Sequence, residues 1–381
     1  MMKKQNKIYL TIGIVAVVLI AAIMMFSTPK GENDNSNTVK IRFTGPLSGA
    51  FAYYGTQAQK GLNLAFEDYD YLLNEKNLVL DIKYEDNTGD KTKAVTDFNT
   101  FLSGDNVALV ISTNTPLSQP LIPLAEQNNI NLLALITGAK DFAKDTNYVF
   151  RDAIMSYDEG VLLGNYFNQQ DYSNIATLVV NDDYGLSGAL GVKDELEKNG
   201  KTIVAEEVFE NSATDVRTQI NKIKEKNPDA IFLVGRESNL IIAIQQMIEL
   251  GIPQEKIFSI DSFESPTVLN GLDSLANGIK ITSVYYDLNN LNTKKFFDEF
   301  KEKYDADPGI YAIDAYSAGE YIIQSVVDCG TSSEQINDCF TTKEFETIKG
   351  NISFNNLHDM SITVGLFEIE NKSKILIEKL K

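Results

Sequence analysis

The chain carries the stretch Gly45-Pro46-Leu47-Ser48-Gly49-Ala50-Phe51-Ala52-Tyr53-Tyr54-Gly55, which lies between a short β-like run, Val39–Phe43, and a helical pattern. The order of strand, glycine-rich turn and helix is typical of the loop with which an α/β fold presents a ligand site. Glycine permits positive φ and close approach of the backbone, and the following helix offers its first N–H groups to an anion. The stretch therefore predicts a binding loop that ends in two tyrosines.

Length and charge limit the classes of protein to which this chain can belong. The 381 residues allow two ordinary domains, and a hydrophobic content of 43% is enough for a packed core. The formal net charge of -19 argues against nucleic acid as a partner, because phosphates require a basic surface. The same charge argues against electrostatic docking on anionic lipid.

The N-terminus has the pattern of an export or anchoring segment. Residues 1–26 combine a lysine-rich start with an uninterrupted apolar run, Ile8–Phe26, which is long for a signal peptide and close to the length that spans a bilayer. We expect an uncleaved signal-anchor with its basic side in the cytoplasm and the globular part outside, and a cleaved signal peptide is the alternative. Residues 27–38 are polar and form the expected linker.

Two cysteines, Cys329 and Cys339, occur in the whole sequence. In an exported protein a disulfide across this short loop is plausible. Two free thiols are the alternative.

From Val39 onward β-like and helix-like segments alternate, which predicts parallel sheets flanked by helices. This alternation starts again at Ile175–Val180, so we expect two sheet-and-helix units and an α/β fold class. Two closing segments, Asn351–Phe354 and Thr363–Ile369, resemble the arms of one hairpin.

The sequence offers little support for catalysis. His358 is the sole histidine and lies in a turn-like segment. It is therefore the one histidine that could act as the base of a catalytic pair with Ser or Cys. No glycine-rich phosphate motif, nucleophile elbow or metal-ligand cluster is visible. We therefore expect neither an enzyme nor a bound metal or cofactor.

Polar and aromatic side chains follow several of the predicted strands. Because the carboxyl ends of parallel strands share one edge of a sheet, they predict a ligand site there. Ordinary helix capping is the alternative explanation for the loop Thr113–Ser118. The candidate binding residues are Tyr54, Asn114, Thr115, Thr137, Gly138, Tyr184, Arg236 and Asp261.

These features together resemble the type I periplasmic-binding proteins, notably the branched-chain amino-acid-binding group that serves ABC transporters. The binding loop at 45–55 is similar to the first loop of that family, and the resemblance covers Val39 to Ile369. Further landmarks agree in order and spacing, namely Tyr84-Glu85-Asp86-Asn87, Ser118-Gln119-Pro120, Phe150-Arg151-Asp152, Asp182-Asp183-Tyr184-Gly185 and Tyr311–Tyr321.

The resemblance implies two α/β lobes that are joined by three hinge crossings and close on a ligand. Residues 39–152 and 284–346 would form lobe 1. Residues 153–283 and 347–381 would form lobe 2.

The resemblance also assigns roles within the site. Thr115 in its loop, with Thr137 and Gly138, would hold the carboxylate of an amino-acid ligand, and Asp261 would pair with the ammonium group. Tyr54 and Tyr184 match the aromatic positions of the two lobes.

Arg236 departs from the family pattern, because an aromatic residue is more usual there. A buried guanidinium requires a partner. The candidates are Glu237, Asp261 or a second anionic group on the ligand.

The expected function is that of an extracytoplasmic solute-binding protein, tethered to the membrane, which delivers an amino acid or related amide to an ABC permease. The ligand-sensing ectodomain of a receptor is the alternative, and an enzyme is a third hypothesis. Receptors usually continue into a membrane segment, whereas no apolar run follows the last strands here, which favours transport.

Overall fold

A computed structural model describes residues 37–104, 106–170 and 172–380. The expected signal-anchor and almost all of the polar linker lie outside the described residues. Within the described part of the chain, no helix is long and apolar enough to cross a membrane. The chain divides into a short unit, residues 1–38, and a large unit, residues 39–381, which contains the fold.

The large unit alternates strands and helices along most of its length. The strands are β1 (Thr38–Gly45), β2 (Val79–Asp86), β3 (Val107–Thr113), β4 (Asn131–Leu135), β5 (Val149–Asp152), β6 (Ile175–Val180), β7 (Ile203–Phe209), β8 (Ala230–Val234), β9 (Ile257–Ser259), β10 (Lys280–Val284), β11 (Phe345–Thr347), β12 (Gly350–Phe354), β13 (Met360–Ser361), β14 (Val364–Glu370) and β15 (Ser373–Leu380). The α-helices are α1 (Ala52–Asp68), α2 (Asp70–Glu75), α3 (Lys91–Gly104), α4 (Thr115–Ser118), α5 (Ile122–Asn128), α6 (Ser156–Gln169), α7 (Asp183–Lys198), α8 (Arg217–Glu225), α9 (Glu237–Glu249), α10 (Pro266–Leu272), α11 (Leu291–Tyr304), α12 (Ile310–Asp328) and α13 (Ser333–Thr342).

The first sheet has the strand order β2-β1-β3-β4-β5, and β3 pairs in parallel with both β1 and β4. Every residue of β3 and β4 is buried, as expected for parallel strands that are covered on both faces. Side chains alternate between the faces, so that Ile111 packs in the core beneath α1 and α12, while Val110 packs on the opposite side beneath α3 and α5.

The second sheet has the order β15-β14-β10-β9-β8-β6-β7. Strands β6 to β10 pair in parallel, and β14 and β15 add an antiparallel edge. Leu178 and Val179 again pack on opposite faces, the first towards α8 and α9 and the second towards α6 and α7. The prediction of an α/β fold with helix-flanked parallel sheets in two lobes is confirmed.

The predicted closing hairpin is wrong. β12 pairs with β11 and β13, whereas β14 pairs with β10 and β15. The physical reason is that the two strands bury their apolar faces in different cores: Ile352 and Phe354 pack with the first sheet, and Phe367 and Ile369 pack with the second.

This pairing bears on the division into lobes. Ile352, Phe354 and Met360 all pack in the core of the first sheet, although residues 347–381 were expected in lobe 2. We therefore propose that the last crossing lies between β13 and β14.

The two cysteines form a disulfide, Cys329–Cys339, which links the end of α12 to α13. The sequence left this pairing open. Replacing both cysteines by Ser is expected to lower the free energy of unfolding by about 2–3 kcal/mol, because a loop of this length is freed in the unfolded chain. Urea denaturation of the oxidised protein and of the double variant measures the difference, and equal midpoints would contradict it.

Candidate functional site

The two lobes meet through loops at the carboxyl ends of their parallel strands. The Tyr54 hydroxyl of lobe 1 donates to Oε1 of Glu237 in lobe 2 at 3.2 Å. Gly138 of lobe 1 faces the ring of Tyr184 in lobe 2, since a Cβ on this glycine would lie 3.7 Å from ring atom Cδ2. We call the region bounded by these four residues and Asp261 the inter-lobe cleft.

The glycine-rich loop is held in place by its own backbone and by Asp86. A Cβ on Gly55 would lie 2.2 Å from the carbonyl oxygen of Pro46, so the close approach at this turn requires glycine. The Asp86 carboxylate accepts hydrogen bonds from the backbone N–H groups of Leu47 and Ser48 and from the Ser48 hydroxyl. The loop is thereby fixed to the end of β2, and it presents its tyrosines to the cleft.

Tyr54 belongs to a cluster of aromatic rings. Its ring centroid lies 5.0 Å from that of Tyr311, which in turn lies 6.0 Å from that of Tyr53. Burial and the nearby Glu237 carboxylate raise the pKa of Tyr54 to about 12, so the phenol remains a hydrogen-bond donor. Sequence reasoning did not select Tyr311, because its proximity depends on how α12 packs against α1.

The loops after β3 and β4 supply polar groups from lobe 1. Asn114 adopts φ 65°, and its side chain caps no helix. Its Oδ1 atom and the Thr113 Oγ1 atom are buried without a hydrogen-bond partner among the described residues. The side chain of Asn114 is therefore not explained by capping, and it is available to a ligand.

The other lobe 1 candidates differ in what they offer. Thr115 is half-buried at the start of α4. The Thr137 hydroxyl is fully buried and donates to the backbone oxygen of Leu135. Gly138 offers only backbone and leaves room for the Tyr184 ring.

In lobe 2 the structure brings Tyr184, Arg236 and Asp261 together. The Tyr184 hydroxyl donates to Oδ1 of Asp261 at 3.3 Å, and the Arg236 guanidinium carbon lies 4.6 Å from the centroid of the same ring. The ring therefore stacks against one charged group and hydrogen-bonds another.

The partner of Arg236 is neither Glu237 nor Asp261. Its Nη2 atom lies 3.0 Å from Oδ2 of Asp182, and almost half of the Arg236 side chain is exposed. Asp182 also caps α7 by accepting from the Gly185 N–H. Both residues sit at helix N-termini on the same sheet edge, which explains a contact that the sequence did not reveal.

A second carboxylate, Glu159, lies behind Asp261. It is fully buried, and its Oε1 atom accepts from the Asp261 N–H at 3.1 Å and from the Thr282 hydroxyl at 2.9 Å. Its Oε2 atom has no hydrogen-bond partner among the described residues. Sequence reasoning missed Glu159, although an acid on the otherwise buried face of α6 could have indicated it.

The pKa values of the Asp261 and Glu159 carboxyl groups are both raised. Burial first, and then the charges of Asp314 and Glu264, raise the pKa of Asp261 to about 7. Burial and the charge of Asp261 likewise raise the pKa of Glu159. Negative charge at this wall is therefore poorly compensated within the protein.

Buried ion pairs lie at the first crossing between the lobes. Lys349 is fully buried, with its Nζ atom 3.2 Å from Oδ1 of Asp152 and 3.1 Å from Oδ1 of Asp314. Arg151 pairs with Asp359 at 2.6 Å. These pairs connect the first crossing to the turn after β11 and to the segment around β13.

His358 stacks on Phe150 with centroids 4.5 Å apart, and its Nδ1 atom lies 3.1 Å from the backbone oxygen of Val149. This placement gives it a packing role in the turn before β13. Among the described residues, no group of three or more His, Cys, Asp or Glu side chains is arranged to hold a metal ion.

A two-lobed α/β fold with a polar cleft between the lobes defines a class of ligand-binding proteins. The family model of the periplasmic binding proteins matches residues 38–374, and the chain belongs to this family. Family membership agrees with a binding protein rather than an enzyme.

The chain is similar in sequence or in fold to several proteins that bind small molecules. A leucine-, isoleucine-, valine-, threonine- and alanine-binding protein of Pseudomonas aeruginosa is 21% identical over 330 residues, which are 85% of this chain and 88% of that protein. A branched-chain amino acid transporter substrate-binding protein of Streptococcus pneumoniae, solved with isoleucine, has a TM-score of 0.75 and 23% identity, covering 90% of this chain and 99% of its own. A solute-binding protein of an ABC transporter from Rhodopseudomonas palustris, solved with 3,4-dihydroxybenzoic acid, has a TM-score of 0.76 and 17% identity, covering 90% and 95%. These likenesses show the fold.

Proposed function

We propose that this protein is the extracytoplasmic solute-binding component of an ABC transporter and captures an amino acid or a related amide between its lobes. The observation that carries the proposal is the cleft itself, where Tyr54 and Gly138 of one lobe contact Glu237 and Tyr184 of the other. Relatives of similar length that bind amino acids support the ligand class.

The candidate residues divide by chemistry. The Thr115 hydroxyl and the backbone N–H groups around Thr137 and Gly138 lie at the end of the first sheet and would receive the ligand carboxylate. Asn114 could donate to it only through its amide NH2 group, because its buried oxygen accepts hydrogen bonds. Asp261 would pair with the ammonium group. Relatives were solved with an aliphatic amino acid and with an aromatic acid. The specificity for the rest of the ligand would therefore be decided by the parts of the cleft that do not bind its carboxylate.

The mechanism follows from contacts on two separate lobes. A ligand held by Asp261 of lobe 2 and by the loops of lobe 1 makes all its contacts only when the lobes are closed. Binding therefore shifts the population towards the closed state. A permease that recognises the closed shape would then distinguish the loaded protein from the empty one.

The proposal places the globular unit outside the cytoplasm. The apolar run before residue 27 would either tether the protein to the membrane as a signal-anchor or be removed as a signal peptide. Immunoblotting of membrane and soluble fractions, together with N-terminal sequencing, separates these two outcomes.

A thermal-shift screen against amino acids, amides and short peptides is the first test. A ligand at concentrations far above its Kd raises the melting temperature, because it binds only the folded state. No shift with any member of the panel would count against the proposal.

The site assignment is tested by Tyr54→Ala and Tyr184→Ala. Each removes an aromatic wall and one hydroxyl that contacts a carboxylate, and we expect about a tenfold or greater loss of affinity in calorimetry. Tyr71→Ala is the matched control, because Tyr71 is exposed on α2 away from the cleft. Unchanged affinity in both cleft variants would show that the ligand binds elsewhere.

A further inference from the structure

Three of the cations near the cleft are already paired with carboxylates of the protein. Arg236 pairs with Asp182 at 3.0 Å, and Lys374 pairs with Glu264 at 2.9 Å. Lys349 is enclosed by its two carboxylates at the hinge. None of these three cations is therefore available to balance further negative charge.

Three carboxylates remain at the cleft without an ion pair among the described residues: Glu159, Asp261 and Glu237. Asp261 accepts only from the Tyr184 hydroxyl and Glu237 only from the Tyr54 hydroxyl among described side chains. One oxygen of Glu159 is completely buried and has no hydrogen-bond partner among the described residues. A buried carboxylate oxygen in this state is costly unless a proton or a cation compensates it.

The opposite wall does not reverse this balance. The candidate residues of lobe 1 offer an amide, hydroxyls and backbone, and none of them carries a positive charge. The loop that contains Gly138 also carries Lys140, whose Nζ atom lies 4.1 Å from the centroid of the Tyr157 ring in lobe 2. A ligand carboxylate would find only neutral donors among the candidate residues. A benzoate-type anion would add a negative charge to a cleft that already has an excess of them.

The two accessible carboxylates lie at different places along the cleft. Asp261 is beside Tyr184, and Glu237 is beside Tyr54. Tyr311 packs on Tyr54, with the ring centroids 5.0 Å apart. Tyrosine rings beside two carboxylates suit a methylene chain that carries an amino group at each end.

We infer that the cleft takes a ligand with net positive charge, a basic amino acid or an aliphatic diamine, with one amino group at Asp261 and a second at Glu237. This inference rests on the proposed function and names its substrate class. The second ammonium group distinguishes the ligand from the branched-chain amino acids and aromatic acids named for relatives.

Isothermal titration calorimetry with lysine, ornithine, 1,4-diaminobutane, leucine, isoleucine and 4-hydroxybenzoate tests the inference. We expect at least one of the first three to bind about tenfold or more tightly than leucine, since a second paired ammonium contributes at least this factor in a partly buried site. In Glu237→Gln the affinity for that ligand, divided by the affinity for leucine, is expected to fall by about the same factor.

Glu249→Gln is the matched control. It lies at the other end of α9, where its exposed carboxylate pairs with Arg217, and it changes the net charge of the protein by the same amount. In this control the ratio of affinities is expected to stay the same.

Tighter binding of leucine, isoleucine or 4-hydroxybenzoate overturns the inference and leaves the proposed function standing. An equal fall of the ratio in both glutamine variants also overturns it, because the effect would then come from net charge alone. Binding of no member of the panel, in calorimetry or in the wider thermal-shift screen, overturns the proposed function as well.

Discussion

Lys349→Met is expected to lower the free energy of unfolding by about 3–5 kcal/mol at pH 8, because it leaves two buried carboxylates without their cation. The ammonium group lies 3.2 Å from Asp152 and 3.1 Å from Asp314, and the lysine side chain is fully buried. Burial alone would depress the pKa of Lys349, but the two carboxylates outweigh it and raise this pKa. The lysine is therefore charged in the folded protein.

The loss is expected to depend on pH. Burial, opposed in part by Lys349, already raises the pKa of Asp314 to about 6. Without the lysine this pKa rises further, so the folded variant holds a proton that the unfolded chain releases. Stability of the variant should therefore fall as the pH increases from about 5 to about 8. Urea denaturation at several pH values measures the trend.

Two further variants test whether the loss in Lys349→Met comes from buried carboxylates that have lost their cation. Lys343→Met removes a half-exposed lysine whose pair with Asp328 spans 3.1 Å, and we expect a loss below about 1 kcal/mol. Adding Asp314→Asn to Lys349→Met removes one of the unpaired carboxylates and should recover part of the stability. A loss below about 1 kcal/mol for Lys349→Met itself would contradict the role given to the buried ion pairs of Lys349.

Asp261→Asn is expected to weaken binding of an amine ligand by about a hundredfold, because it removes the charge that faces the ammonium group. Asparagine keeps an oxygen that can accept from the Tyr184 hydroxyl, so the wall itself should remain in place. Asp305→Asn is the matched control: Asp305 is exposed, ends α11 with φ 52°, and asparagine tolerates this conformation. Calorimetry on the three proteins measures the effect.

The same change is expected to stabilise the protein without ligand by about 1–2 kcal/mol at pH 8. Burial and the charges of Asp314 and Glu264 raise the pKa of Asp261 from 3.8 to about 7. Between these values the folded state holds a proton that the unfolded state releases, so the contribution of Asp261 to stability falls as the pH rises through this window.

The gain in the free energy of unfolding of Asp261→Asn over the wild-type protein should therefore be small near pH 4 and largest above pH 7. Affinity of the wild-type protein for an amine should decrease below about pH 7, where Asp261 is protonated. Lower stability of Asp261→Asn at pH 8, or an affinity that does not change with pH, would contradict this assignment.

Local patterns were sufficient to select several residues that the structure brings together between the lobes. Loops that follow parallel strands converge whatever the details of packing, which is why Gly138, Tyr184 and Asp261 could be selected from the sequence and now lie close together. Their role in binding a ligand stays a prediction. Glu159 was missed, because a glutamate on the buried face of a helix can indicate a buried carboxylate but not the groups that it contacts.

Pairings between distant segments were not predictable in the same way. Arg236 lies 54 residues from Asp182 in the chain, and Lys349 lies 197 residues from Asp152. Each residue has acidic neighbours that are closer in sequence, so charge pattern alone offers several partners. The closing hairpin was wrong for a related reason, since alternation in β12 and β14 identifies strands but not the sheet that each joins.

The sequence by itself determined the alternation of strands and helices, the loop at 45–55, and the residue types that follow the strands, because these depend on local propensity and periodicity. Only the tertiary structure decided which charges meet. It paired Arg236 with Asp182, buried Lys349 between two carboxylates, and left Glu159, Asp261 and Glu237 without a cation among the described residues. The physical reason is that the electrostatics of a buried site depend on distance and burial, and both are set by segments far apart in the chain.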